Sequence, residues 1–64
     1  MYYYKYRRTD NFIEEVSLTP LIQDEFYFVS ISNSELPIQY FNIYVKEVNE
    51  NNEITAHTGH KKEV

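Results

Sequence analysis

The chain has 64 residues, with Lys+Arg 6 against Asp+Glu 10 and a formal net charge of -4 when both His are neutral. Its length admits one small domain, and the absence of Cys excludes a disulfide framework, a thiolate zinc site and a Cys nucleophile while fitting a reducing compartment. A hydrophobic share of 42% is too high for a simple disordered tail at this charge. No apolar run approaches the roughly 18 residues of a membrane span, and the N-terminus lacks a signal-peptide apolar region.

The apolar residues recur with period two rather than 3.6, which predicts strands. Met1 to Arg8 reads as a strand with Tyr2, Tyr4, Tyr6 and Arg8 on one face and Tyr3, Lys5 and Arg7 on the other. Thr9-Asp10-Asn11 is a turn signal. As a type I turn plus bulge it needs Asn11 in the left-handed conformation, which Asn tolerates. Counting outward then sets Arg8 opposite Phe12, Tyr6 opposite Glu14, Lys5 opposite Glu15, Tyr4 opposite Val16 and Tyr2 opposite Leu18. That register gathers Tyr2, Tyr4, Phe12, Val16 and Leu18 on one side and pairs Lys5 with Glu15 on the other. The competing reading of residues 11 to 18 is a short helix with Asn11 as N-cap and Glu14 at N3.

Thr19-Pro20 interrupts the pattern, because Pro brings no donor to a ladder. Leu21 to Asp24 is expected as a loop or one helical turn capped by Thr19. Phe26 to Ser32, aromatic and β-branched, is the best strand in the chain. Asn33 to Pro37 is a loop, and Ile38 to Val48 is a long strand. Pairing these two as a hairpin sets Ile31 opposite Gln39, Val29 opposite Phe41 and Tyr27 opposite Ile43. One face is then Tyr27, Val29, Ile31, Phe41, Ile43 and Val45. The other holds Phe26, Phe28, Ile38, Tyr40 and Tyr44, interrupted by Ser30, Ser32 and Asn42, so both faces are apolar or aromatic. Asn49 to Asn52 reads as a hairpin loop before a last strand near Glu53 to Thr58. Pairing Val48 with Ile54 or with Glu53 puts Ile54 on different faces, and the pattern leaves both open. The expected division is one β domain over residues 1 to 58 and a solvated tail over 59 to 64.

The fold class is therefore all-β: a five-stranded antiparallel meander with at most one short helical turn. A domain of about 60 residues buries only about 60% of its unfolded surface and is marginal by itself. Two apolar faces on the central pair leave two solutions: the sheet curls into a small SH3-like barrel, or a second chain covers it.

Catalytic chemistry is poorly supplied. None of the four Ser sits in a G-x-S-x-G elbow, and one Gly cannot build a phosphate-cradling loop. Glu14-Glu15 and Asp24-Glu25 are adjacent pairs whose members point to opposite faces of a strand, so they read as solvated charges. The chain reads as a non-enzyme without cofactor or small-molecule substrate. His57 and His60 are the sole metal-ligand candidates. Their offset of three separates them on a strand and no third ligand is evident, so no metal site is assigned.

Charge is uneven. Residues 1 to 9 hold Lys5, Arg7 and Arg8 and no acid, whereas residues 10 to 56 hold nine acids against Lys46 alone. The basic arm can pair with acids of its own sheet or hold phosphates. In the second case Tyr2 and Tyr4 would stack bases of a single-stranded nucleic acid while Lys5, Arg7 and Arg8 hold its backbone. No basic-Gly-aromatic motif accompanies them, and the acidic body repels a polyanion. Seven Tyr and four Phe exceed the needs of so small a core and suit a protein interface. The expected function is thus a small acidic interaction module, acting as a homodimer or on another protein, through Phe26, Phe28, Ile38, Tyr40 and Tyr44. Composition rich in Asn, Tyr, Ile and Glu also matches an AT-rich coding source such as a low-GC bacterium or its phage, and with it a cytoplasmic setting.

Overall fold

Five strands account for the regular structure of residues 1–62, the part of the chain that the computed structural model describes. They are β1 (Tyr2–Arg7), β2 (Ile13–Ser17), β3 (Tyr27–Ser32), β4 (Phe41–Val48) and β5 (Ile54–Lys61). The three strand ladders are antiparallel and no helix forms among the described residues, as the period-two pattern predicts. Residues 11 to 18 build a turn and β2 instead of the competing helix, and Leu21 to Asp24 is loop without a helical turn.

Strand order departs from a continuous meander: one sheet runs β2-β1-β3 and the other is β4-β5. The expected β3–β4 hairpin does not form, because β3 pairs with β1, setting Tyr4 opposite Ser30, Tyr2 opposite Ser32 and Tyr6 opposite Phe28. Volume explains the choice. Three large rings project inward from β1, and the small Ser30 and Ser32 give two of them room. The residues after β3 are then pinned across the sheet rather than turned back. The Leu36 N–H donates to the Tyr4 hydroxyl at 2.7 Å, and the Phe41 N–H donates to the Pro37 carbonyl at 3.0 Å. Residues 38 to 40 become a turn, so β4 starts at Phe41 and not at Ile38.

Both hairpin loops hold a left-handed asparagine, with φ 64° at Asn11 and 62° at Asn52. The first loop is one residue longer than expected. Arg7 N–H donates to Phe12 O and Asn11 N–H to Arg7 O, so Arg7 and Phe12 close it and Tyr6 faces Ile13. Asp10 favours this closure by accepting the Phe12 N–H at 3.1 Å and binding the Arg7 guanidinium with both oxygens. A bulge beyond Ile13 then restores the expected Lys5–Glu15 and Tyr4–Val16 partners. The predicted Arg8–Phe12 and Tyr6–Glu14 pairs are replaced, the ladder ends at Tyr3–Ser17 in the predicted register, one pair short of Tyr2–Leu18, and Ile13 enters the core. In the second loop Asn52 N–H donates to Asn49 O and Asn49 N–H to Glu53 O, a three-residue turn that pairs Val48 with Ile54.

The two sheets are stitched at both sides. Phe12 bridges Tyr44 and Ile31 bridges Glu53, each beside one of the left-handed asparagines. Asn11 accepts the Val45 N–H on its carbonyl and donates its side-chain amide to Val45 O, copying a strand residue. Asn52 likewise accepts the Ile31 N–H and donates its amide to Val29 O at 2.7 Å. The result is a barrel-like sandwich joined at two seams without continuous closure.

Between the sheets lie Tyr4, Tyr6, Ile13, Leu36, Ile43 and Val45, flanked by the partly buried Tyr2, Phe28, Ile38 and Ile54. Val29 is also buried, as expected. Phe41 is 38% exposed, standing at the start of β4 opposite Lys61 and beyond the core. The sole glycine belongs to this packing and not to a tail. Gly59 pairs with Ile43, and a Cβ there would stand 2.6 Å from Ile43 Cδ1. Residues 59 to 61 thus continue β5, although exposed, while residues 63 and 64 of the expected tail lie outside the described residues. Among the described residues no helix is long and apolar enough to cross a membrane.

Candidate protein-interaction site

Strand β2 has β1 on one side; on the other, its only bridge is the one that Phe12 makes just ahead of it, so Glu14 to Ser17 form a free edge among the described residues. Val16 occupies a core-facing register position opposite Tyr4, yet at this edge it stays 36% exposed. Leu18 follows the end of β2 and is 72% exposed. Across from Val16 runs the connection from β3 to β4. Its anchor is Leu36, buried by the hydrogen bond to Tyr4 and by contact with the core. The Pro37 turn lifts Tyr40 to the surface, where the residue is 68% exposed, while its carbonyl accepts the Lys62 N–H at 3.0 Å. The backbone of this exposed aromatic is therefore held on both sides.

Val16, Leu36, Pro37, Ile38 and Tyr40 line a groove of about 350 Å³. A second depression of about 220 Å³, lined by Tyr2, Val16, Ser17 and Leu18, adjoins it. Val16 and Glu35 border both, so the two depressions lie side by side along the β2 edge as one mainly apolar channel divided by these side chains. Glu35 is its only charged residue, and it makes no ion pair among the described residues.

The five aromatic and aliphatic residues expected to share one sheet face are distributed to separate places, because that face required β3 to pair with β4. Ile38 and Tyr40 belong to the groove. Phe26, 68% exposed, borders a different depression beside Arg7, Arg8 and Glu25. Phe28 packs on Tyr6 with ring centroids 5.7 Å apart and lies beneath the Arg8 guanidinium at 4.1 Å. Tyr44 packs on Phe12 at 5.3 Å and stacks on His60 at 5.9 Å.

The basic arm is engaged internally. Arg7 binds Asp10 at 2.6 Å, lies 4.0 Å from Glu14 and covers the Phe12 ring. The Asp10 carboxyl is accordingly held below its ordinary range, first by the Arg7 hydrogen bonds and then by the Phe12 N–H. Lys5 Nζ sits 4.6 Å from the Tyr27 ring centroid, and Tyr27 donates its hydroxyl proton to Glu14 at 2.9 Å. Arg8 donates to the Asp24 carbonyl at 3.0 Å. Of the rings proposed to stack bases, Tyr4 is wholly buried and offers no face, and Tyr2 is half-buried. Tyr2 and Tyr4 also point away from Lys5 and Arg7, so these five residues make no common surface. His57 and His60 pair with Val45 and Asn42 and lie on opposite faces of β5.

Val16, Leu18, Glu35, Leu36 and Pro37 were not among the interface residues expected from the sequence, which placed Val16 and Leu18 only on the apolar face of the first hairpin. Two signals pointed to them. An apolar Leu inside an otherwise polar loop marks an anchor, and the Glu14-Glu15 pair within a strand marks an edge. No protein-family model, curated protein or solved structure matches this chain.

Proposed function

We propose that this chain is a small, acidic, non-catalytic protein-interaction module, an adaptor, inhibitor or regulatory subunit, working through the channel between β2 and the β3–β4 connection. The observation that carries the reading is that two mainly apolar depressions adjoin at Val16. The channel's apolar floor is bounded by Val16, Leu18 and Tyr40, which the fold presents to solvent on a supported backbone rather than packing away. Contiguous exposed apolar surface on so small a domain is the usual mark of an interaction site. The Cys-free composition and the AT-rich coding signature are consistent with a cytoplasmic role in a bacterium or its phage.

Site-specific photo-crosslinking in the native host tests the proposal. A photoreactive residue at Leu18 is expected to give a discrete covalent adduct that disappears on Tyr40→Ser. The same residue at Lys46, which lies outside the channel, is expected to give none. Equal labelling from both positions, or none from Leu18, rules the channel out as the working surface.

A further inference from the structure

We infer, building on the interaction reading above, that the channel receives an extended basic and apolar segment of another protein, added to the sheet as a strand beside β2. β4 lies close to β2 at the Phe12–Tyr44 bridge, but beyond it the backbone of Glu14 to Ser17 is laddered to no strand on its outer side among the described residues, and an open edge accepts a peptide through main-chain hydrogen bonds. Side chains of an added strand alternate between faces, so residues two apart, spaced about 6.5–7 Å, point the same way. The two depressions that flank Val16 lie on that core-side face and would take two such apolar side chains. The end of the β4–β5 hairpin lacks this complement: the depression there is lined by the polar Asn42, His60, Lys61 and Lys62.

Charge selects the occupant. Glu35 borders both depressions and no cation among the described residues lines either one, so a Lys or Arg of the incoming segment meets a carboxylate unpaired among those residues. A second copy of this chain is a poor fit. Two β2 edges brought together confront Glu14 and Glu15 with the same pair, and like charges across a strand pair are destabilising. The acids of the edge thereby admit a basic strand and discourage self-association.

Random peptides displayed on phage and selected against the full chain, then synthesised and titrated by heteronuclear NMR, test this inference. Selected peptides are expected to alternate apolar residues and to include a Lys or Arg. Amide shifts should concentrate at residues 14 to 18 and 35 to 40, and hydrogen exchange at β2 should slow on binding. Glu35→Lys is expected to weaken binding about tenfold, with recovery when the peptide's cation is changed to Glu. Binding in the channel without slowed β2 exchange overturns strand addition while supporting the interaction reading. Acidic peptides, or a β2-linked dimer of the chain alone, overturn the basic-partner assignment. Shifts confined to other surfaces overturn both readings.

Discussion

Tyr4 carries a hydroxyl into the middle of the core with no exposed surface, and the fold is arranged to satisfy it. The group accepts the Leu36 N–H at 2.7 Å and directs its own proton toward the Ser34 carbonyl at 3.5 Å. Tyr6 solves the same problem through a chain of donors. Ser30 donates its one proton to Asn52 Oδ1 at 2.8 Å, so Tyr6 must donate to Ser30 across 2.7 Å. Tyr4→Phe strands a buried N–H and is expected to cost about 1–3 kcal/mol in urea unfolding. Burial pushes the Tyr4 phenol above its ordinary value of 10.0, outweighing the Leu36 N–H that favours the phenolate. The Glu14 hydrogen bond, followed by the Glu14 charge, raises Tyr27 in the same direction. For a group whose folded pKa is raised, the protonated form is the one stabilised. Both contributions are therefore fully present below pH about 10 and lost as pH rises through the folded values. Alkaline unfolding followed by tyrosinate absorbance should show Tyr4 ionising only as the fold opens. Tyr4→Phe should flatten that dependence. Asp10 has the opposite sign: its depressed pKa contributes above the ordinary value of 3.8 and is lost as pH falls through the folded one.

At the level of elements, each hairpin depends on a left-handed asparagine that also joins the sheets. Asn52 combines a positive φ with three hydrogen bonds to β3, to Val29 O, Ser30 Oγ and the Ile31 N–H. Two substitutions separate these roles. Asn52→Gly keeps the backbone conformation and loses only the side-chain bonds, whereas Asn52→Ala loses them and strains the turn as well. The alanine variant is expected to be less stable than the glycine variant by about 1–2 kcal/mol in thermal or urea unfolding. Equal stabilities would show that backbone strain plays no part in the seam. Strand positions and the need for a left-handed Asn11 were legible in the sequence, since period-two patterning and turn chemistry are local. Pairing was not. Ser30 and Ser32 read as polar interruptions of an apolar face until the Tyr2 and Tyr4 rings, about thirty residues away, are seen to need small neighbours.

Over the whole molecule, stability and the proposed interaction draw on different residues. Ile43 and Val45 from one sheet meet Tyr4, Tyr6 and Ile13 from the other in a small core. A domain of this size holds about 3–10 kcal/mol in total. Ile43→Ala, expected to cost about 2–5 kcal/mol, should consume much of it and be visible as a large drop in urea midpoint. Leu18→Ser and Tyr40→Ser remove exposed apolar side chains and should change the same midpoint by no more than about 0.5 kcal/mol. Large losses from both surface variants would mean that the channel is part of the core rather than an interaction surface.

Local chemistry determined the class of the protein: alternating aromatic and β-branched residues dictate strands, Pro and Asn dictate where they end, and zero Cys with nine central acids sets the surface character. Only the tertiary structure decided which strands meet, and with that where the candidate site lies. A strand's neighbours are chosen by the volume and hydrogen-bonding demand of side chains far away in the chain. Once β3 joined β1, Val16 was left at an open edge and Tyr40 beside it. No periodicity within either segment carries that information.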